Sequence, residues 1–189
     1  MCGRFSLGNV KAINRKYDLN IVPNYNISPS SQILIKTDKV FSMKWNFSPN
    51  WASTPLNIIN ARYETLREKP SFKYTKRCGI FLNGWFEWKK VGKRKEPFFH
   101  YLTDEYFFLG GIFSDAGCAI VTIDSGGFLR NIHHRRPVFF SINHLDLWLN
   151  AQDKLLFEGN PPDDLRIHKV SEKVNSAKVN DEKLVEPIC

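Results

Sequence analysis

The sequence predicts an α+β protein that is mostly β, in which short helices flank an antiparallel sheet. Of its 189 residues, 42% are hydrophobic and 14% are aromatic, which is enough for a packed core. These residues occur in short, dense runs between turn residues, as in β proteins, whereas helical periodicity is rare. At about 150 residues per domain, the length predicts a single domain over residues 1–189.

The strands are predicted from runs of β-branched and aromatic residues. In chain order they are 33–36, 40–45, 78–82, 85–91, 98–102, 106–111, 119–123 and 138–141. Turn residues at 37–39, 91–93 and 103–105 have hairpin length, so the strands are expected to form an antiparallel meander.

The helices are predicted at 61–69, where Pro70 stops the pattern, at 143–150 and at 152–157. The segment 158–164 contains two prolines and several acidic residues, which predicts a surface loop. The polar tail from Ser171 onward is expected to run over the surface.

The charge of the chain points to an anionic partner. It has 27 basic and 19 acidic residues, a net charge of +8 and a pI near 9.4, and nucleic acid is the commonest partner of such chains. No apolar run approaches the ~18 residues of a membrane helix, and the N-terminus has no signal-peptide core. We therefore expect a soluble protein without a membrane partner, in a reducing compartment.

The cysteines are expected to be free thiols, at positions 2, 78, 118 and 189. No C-x-x-C spacing supports a zinc or dithiol site, and the pair His133-His134 has no cysteine or acidic residue at ligand spacing. No metal or cofactor is expected.

Cys2 becomes the N-terminal residue if Met1 is removed, and it then carries an amine and a thiol on adjacent carbons. With ordinary pKa values of about 7.7–8.0 for the amine and about 8.5 for the thiol, part of each is nucleophilic at neutral pH. Such a group condenses with an aldehyde, first to a Schiff base and then to a five-membered thiazolidine. The alternative is that Cys2 is simply a small residue at that position.

Six motifs follow one another along the chain. They are Cys2-Gly-Arg-Phe5, Tyr25-Asn-Ile-Ser-Pro29, Trp45-Asn-Phe-Ser-Pro-Asn-Trp51, Asn60-Ala-Arg-Tyr-Glu-Thr65, Asn83-Gly-Trp-Phe-Glu-Trp88 after Arg77-Cys78, and Ile132-His-His-Arg-Arg-Pro137. In these motifs and their order the sequence resembles the SRAP family (SOS response-associated peptidase), the abasic-site processing proteins.

The resemblance implies a single SRAP-like domain with a central antiparallel, barrel-like bifurcated sheet. It also implies a sensor and shield of abasic sites in single-stranded DNA. In the family, the N-terminal cysteine, after self-removal of the initiator methionine by a thiol autopeptidase-type activity, captures the ring-opened sugar as a thiazolidine DNA-protein crosslink. We expect a monomer, cytoplasmic and nucleoid-associated if bacterial or from a phage, and nuclear if eukaryotic.

Four residues match the family's catalytic positions, namely Cys2, Asn60, Glu87 and His133. An uncharged Asn60 amide suits a partner of the Cys2 amine, although Asn60 also suits the N-cap of a helix beginning at Ala61. Glu87 lies among aromatic residues that favour a raised pKa, although a strand glutamate can also pair with a lysine of 89–95. A neutral His133 is a suitable proton shuttle.

The candidate DNA-binding residues are Arg4, Asn26, Trp45, Trp51, Arg62, Arg135 and Arg136. The arginines are expected on phosphates, and Asn26 and the tryptophans on unpaired bases. Each tryptophan can equally be a core residue. The basic hairpin tip 89–95 is expected to be a solvated turn outside the site. Two other functions remain open, a thiol peptidase acting on proteins and a non-catalytic single-stranded DNA-binding module.

Overall fold

The computed structural model describes residues 2–157 and 161–188, and it has the α+β, mostly β architecture that the sequence predicts. The strands form two sheets that do not close into a barrel. One sheet has the order β13-β8-β7-β1-β2, and the other has the order β11-β10-β9-β6-β3-β4, with β12 paired to β9 and β5 paired to β10.

The strands and helices have the following bounds. The strands are β1 (Phe5–Leu7), β2 (Asn24–Ile27), β3 (Gln32–Lys36), β4 (Val40–Lys44), β5 (Asn60–Arg62), β6 (Lys76–Leu82), β7 (Gly84–Val91), β8 (Arg94–Tyr101), β9 (Phe107–Ser114), β10 (Gly117–Asp124), β11 (Arg135–Pro137), β12 (Phe139–Phe140) and β13 (Arg166–Lys169). The α-helices are α1 (Lys11–Tyr17), α2 (Leu145–Leu149) and α3 (Asp153–Phe157). Single 3-10 turns lie at Tyr63–Thr65, Pro70–Phe72, Phe128–Asn131, Ile142–His144, Glu172–Asn175 and Glu182–Val185.

The eight predicted strands are all present, but the expected meander is only partly correct. Hairpins join β3 to β4 and β7 to β8, as the turns at 37–39 and 91–93 predict. The connection at 103–105 is not a hairpin, because β8 and β9 belong to different sheets. The chain also changes sheet between β6 and β7, at Asn83. Turn residues predict where a chain reverses, but they do not predict which sheet the next strand joins.

The predicted helix at 61–69 is wrong. Residues Asn60–Arg62 are extended and pair in parallel with β10, in the register Ile120↔Asn60 and Thr122↔Arg62. Only the 3-10 turn Tyr63–Thr65 follows. Pairing with a buried central strand overrides the weak helical preference of these residues. The predicted helices at 143–150 and 152–157 are confirmed as α2, after a 3-10 turn, and α3.

The C-terminal tail packs against the sheet and does not merely cross the surface. Val174 and Leu184 are buried in a small second cluster with Phe86 and Phe99. Of the predicted loop at 158–164, residues 158–160 lie outside the described part of the chain, as do Met1 and Cys189, and residues 161–164 are exposed or half-buried.

Gly84 allows β7 and β8 to approach each other closely at the start of the Gly-Trp-Phe-Glu-Trp motif. A Cβ atom placed on Gly84 would lie 2.3 Å from the Phe99 ring and 2.6 Å from the His100 carbonyl oxygen. A side chain at this position would therefore push the two strands apart. The absence of one lets β7 run between β8 and β1, which places Glu87 in the interior of the sheet.

Candidate functional site

The N-terminal strand places Cys2 beside Glu87. β1 pairs antiparallel with β7 in the register Phe5↔Trp85, and the Phe86 N–H donates to the Arg4 carbonyl oxygen over 3.0 Å. Because the strands run in opposite directions, the residues before Phe5 continue along the residues after Trp85. The second and eighty-seventh residues of the chain therefore lie together.

The Cys2 side chain is fully buried, with 0% exposure, and its Sγ lies 3.8 Å from the Arg4 carbonyl oxygen. Burial raises the pKa of the thiol far above its ordinary value, and the nearby Glu87 carboxylate raises it further. The expectation of a partly ionised thiol is therefore wrong for this conformation. The sulfur is protonated at neutral pH, so its nucleophilic attack needs a base that takes the proton.

Asn60 holds the backbone of Cys2. Its Nδ2 donates to the Cys2 carbonyl oxygen over 2.9 Å, and its buried Oδ1 has no hydrogen-bond partner among residues 2–157 and 161–188. The interpretation of Asn60 as a helix N-cap is wrong, because it lies at the start of strand β5. An amide fixed this way positions the Cys2 main chain without adding charge.

Glu87 is the buried carboxyl group of the site, with only 3% of its surface exposed. Burial raises its pKa to about 7. The alternative of a surface ion pair with a lysine of 89–95 is therefore wrong. A carboxyl group that titrates near neutral pH is suited to accepting and returning a proton.

His133 is half-buried and is held by the backbone of the loop before β11. Its Nδ1 lies 2.9 Å from the Arg135 carbonyl oxygen and 3.1 Å from the Arg135 nitrogen. The Arg135 backbone therefore fixes the orientation of the ring through Nδ1. Burial lowers the pKa of His133, so the ring is neutral at physiological pH.

A cavity of about 960 Å³ is lined by both Glu87 and His133. The Trp88 side chain, whose Nε1 donates to Asn175 over 2.8 Å, also lines it. Lys90 and Lys95 of the basic hairpin line the same cavity, although the sequence analysis excluded this hairpin from the site. The sequence shows which side chains of β7 share a face. It does not show the cavity, because segments distant in the chain form it.

Arg4 and Asn26 bind the C-terminal tail. Arg4 Nη1 donates to Asn26 Oδ1 over 2.8 Å and to the Val174 carbonyl oxygen over 3.1 Å. Asn26 is 4% exposed, and its Nδ2 donates to the carbonyl oxygens of Ser176 and Val179. The geometry thus gives Asn26 a structural role and no open face for a base.

Replacing Asn26 by alanine should destabilise the protein by about 1–3 kcal/mol, because the Ser176 and Val179 carbonyls lose a donor and Arg4 loses one of its acceptors. Chemical denaturation measures the free energy of unfolding, and limited proteolysis should cut the variant first after residue 170. The control is Asn24→Ala in the same strand, whose half-buried side chain accepts from the Asn26 nitrogen over 2.9 Å and which should change the free energy less. Equal stabilities of wild type and Asn26→Ala would contradict the structural role.

The two tryptophans of the DNA-binding prediction differ in exposure. Trp45 is 0% exposed, and its Nε1 donates to the Ile59 carbonyl oxygen over 2.9 Å. It is therefore a core residue and not a DNA-stacking residue. Trp51 is 65% exposed, and its ring is available for stacking. Arg62 is also exposed.

Arg135 and Arg136 already have partners within the chain. Arg135 donates through both terminal nitrogens to the Glu64 carboxylate, over 2.7 and 2.9 Å. Arg136 is buried against the Phe139 ring, 5.2 Å from the ring centre, and burial lowers its pKa to about 10. Neither guanidinium group is open to a phosphate in this conformation.

Residues 2–157 and 161–188 contain no cluster of three or more histidine, cysteine, aspartate or glutamate side chains able to hold a metal ion. In the same part of the chain, no helix has the length and apolar character to cross a membrane. Cys2, Cys78 and Cys118 are free thiols, as expected.

Comparison with known proteins gives a consistent result. The family model for SOS response associated peptidase (SRAP) matches residues 1–177. The chain is 30% identical to "Abasic site processing protein YoaM" of Bacillus subtilis over 98% of both chains, and 29% identical to "Abasic site processing protein YedK" of Escherichia coli over the whole of both. A crystal structure of a protein from Bacteroides thetaiotaomicron superposes with a TM-score of 0.82 and 22% identity over all of both chains. The chain therefore belongs to the SOS response associated peptidase (SRAP) family.

Proposed function

We propose that this protein processes abasic sites in single-stranded DNA by forming a covalent thiazolidine crosslink through Cys2. The observation that carries the proposal is that two polar residues meet at Cys2. Asn60 holds the Cys2 carbonyl group, and Glu87, a buried carboxyl group that titrates near neutral pH, lies beside the Cys2 thiol. Its relatives YoaM and YedK, named abasic site processing proteins, support the same assignment.

The reaction begins after Met1 has been removed, when Cys2 carries a free α-amine. The amine adds to the C1′ aldehyde of the ring-opened sugar, and loss of one water gives an imine. The Cys2 sulfur then bonds to the imine carbon, while its proton leaves and the imine nitrogen gains one. The product is a thiazolidine, and no oxidant or reductant is needed.

Each polar residue of the site has a distinct task in this sequence. Glu87 accepts the thiol proton, which the buried Cys2 would not otherwise release at neutral pH. His133, which lines the same cavity, carries protons to and from the sugar oxygen that opens to the aldehyde. Asn60 fixes the Cys2 main chain so that the amine and the thiol meet one carbon atom.

The DNA approaches through the cavity that Glu87 and His133 line. Trp51 and Arg62 are the exposed residues of the predicted set, and they supply a stacking surface and a phosphate partner.

We propose that the protein acts as a monomer of one domain over residues 1–189. A peptidase acting on other proteins has less support, because it leaves the net charge of +8 unexplained.

The test uses purified protein whose loss of Met1 has been verified by intact mass. Incubation with a single strand carrying one abasic site should give an adduct that survives denaturing electrophoresis, and the same strand with an intact base should give none. The thiazolidine adds the mass of the lesion strand minus one water. An equal adduct on both strands, or none on the abasic strand, would overturn the proposal.

A further inference from the structure

The β7–β8 hairpin carries a dense positive charge. Residues 89–95 read Lys-Lys-Val-Gly-Lys-Arg-Lys, so five of the seven are basic. The turn is tight and ordered by Gly92, whose φ of 60° lies in the left-handed region that favours glycine. Lys89, Lys90 and Lys95 are thus presented on paired strands, and Lys93 lies in the turn.

The two faces of this hairpin are charged differently. On one face Lys89 lies opposite Glu96, and Glu96 also forms an ion pair of 2.7 Å with Lys169. On the other face Lys90 lies directly opposite Lys95. Within the described ranges 2–157 and 161–188, no acidic side chain forms an ion pair with either member of this lysine pair.

Like charges directly opposite each other destabilise a sheet, since their Cβ atoms are only about 4.5–5.5 Å apart. The lysine pair is therefore an unfavourable arrangement that an anion between or above the two ammonium groups would stabilise. Glu96 supplies such a charge on the other face. On the face of the lysine pair, no ion pair among the described residues supplies such a charge.

The lysine pair lies on the wall of the reaction cavity. Lys90 and Lys95 line the same 960 Å³ space as Glu87 and His133, and Lys95 is close enough for its charge to contribute to lowering the His133 pKa. Arg130, which also lines the cavity, is exposed and forms only a 3.4 Å contact with Asp124. An anionic chain that enters this cavity therefore passes the lysine pair.

We propose that Lys90 and Lys95 bind successive backbone phosphates of the single DNA strand next to the reacting nucleotide. The proposal rests on the function proposed above, because it takes the ligand of the cavity to be a nucleic acid strand. Lysine ammonium groups suit this role, since they bind phosphate as point charges and do not select a base. The lysine pair would hold the strand in place while leaving its sequence unread.

The experiment measures binding of an undamaged, fluorescent oligothymidine of about 20 nucleotides by anisotropy at several salt concentrations. Each neutralised phosphate of a single strand contributes about 0.7 to the slope of log K against log salt, so Lys90→Gln/Lys95→Gln should lower the slope by about 1.4. Between 50 and 200 mM salt, the wild type should then lose about sevenfold more affinity than the variant does.

The matched control is Lys11→Gln/Lys39→Gln, which removes two exposed charges that do not line this cavity. Its slope should equal that of the wild type. An unchanged slope in Lys90→Gln/Lys95→Gln, or an equal decrease in the control, would overturn the proposal. Lys95→Gln alone should lower the slope by about half as much, and its Tm should not fall, since it relieves a repulsion.

The test of the lysine pair and the test of the proposed function can fail independently of each other. Adduct formation by the wild type on an abasic strand is measured in parallel, and its failure would overturn the crosslinking function. The slope comparison uses an intact strand and no reaction, so it judges the lysine pair alone.

Discussion

Cys2→Ala should abolish the denaturation-resistant adduct with abasic single-stranded DNA. The variant keeps an N-terminal amine after loss of Met1, so it can form an imine, but it has no sulfur to close the ring. An imine hydrolyses on denaturation, whereas a thiazolidine does not depend on a C=N bond. We expect no adduct on a denaturing gel, and intact mass spectrometry should show only free protein and free DNA.

Two further variants isolate the role of the sulfur at position 2. Cys2→Ser keeps the amine and places a hydroxyl at nearly the same point, and it should trap the strand only weakly because a hydroxyl closes the ring far less readily. Cys78→Ala removes another buried thiol, one that contacts Cys118 at 4.0 Å, and it should form the adduct normally. An undiminished adduct in Cys2→Ala would refute the proposed chemistry.

The sequence predicts a set of candidate site residues that the structure brings near one another, but it does not predict their physical state. The motifs named Cys2, Asn60, Glu87 and His133, and the structure places Asn60 and Glu87 near Cys2, with His133 lining the same cavity as Glu87. The buried, protonated Cys2 thiol was missed because ordinary pKa values apply to exposed groups. Burial depends on how β1 inserts beside β7, which is a long-range pairing.

The errors in the predicted fold also arise from contacts between segments distant in the chain. The segment after Asn60 has helical local preferences, yet β10 captures it as a parallel strand. Trp45 and Trp51 are six residues apart in one motif, and only the packing of the core shows that the first is buried and the second exposed. The position of the lysine pair beside the cavity was not predicted, because a basic turn in solvent and a basic turn that lines a cavity have the same composition. They differ in what faces them across the cavity.

Glu87→Gln should slow both Met1 removal and crosslink formation by about 10²–10⁴, the usual effect of losing a general acid-base group. Glutamine keeps the size and hydrogen bonding of the side chain but cannot take the Cys2 proton. In the wild type the rate should rise with pH through about 7, as the carboxyl group whose pKa burial has raised becomes ionised. His133 stays neutral over that range because burial lowers its pKa, so Glu87→Gln should lose the rise near 7 and keep only the rise at about 7.7–8.0 that comes from deprotonation of the Cys2 α-amine.

Stability should change in the opposite direction to the rate in this variant. The folded protein keeps the Glu87 proton up to pH about 7, whereas the unfolded chain releases it near 4.5, so this residue favours folding below 4.5 and increasingly opposes it as pH rises to 7. Glu87→Gln should therefore melt at the wild-type temperature or higher at pH 8. The control Glu96→Gln removes the half-buried carboxylate that pairs with Lys169, and it should cost at most about 1 kcal/mol and slow neither reaction. Normal rates of Met1 removal and crosslinking in Glu87→Gln would exclude Glu87 from proton transfer and leave the buried thiol without its base.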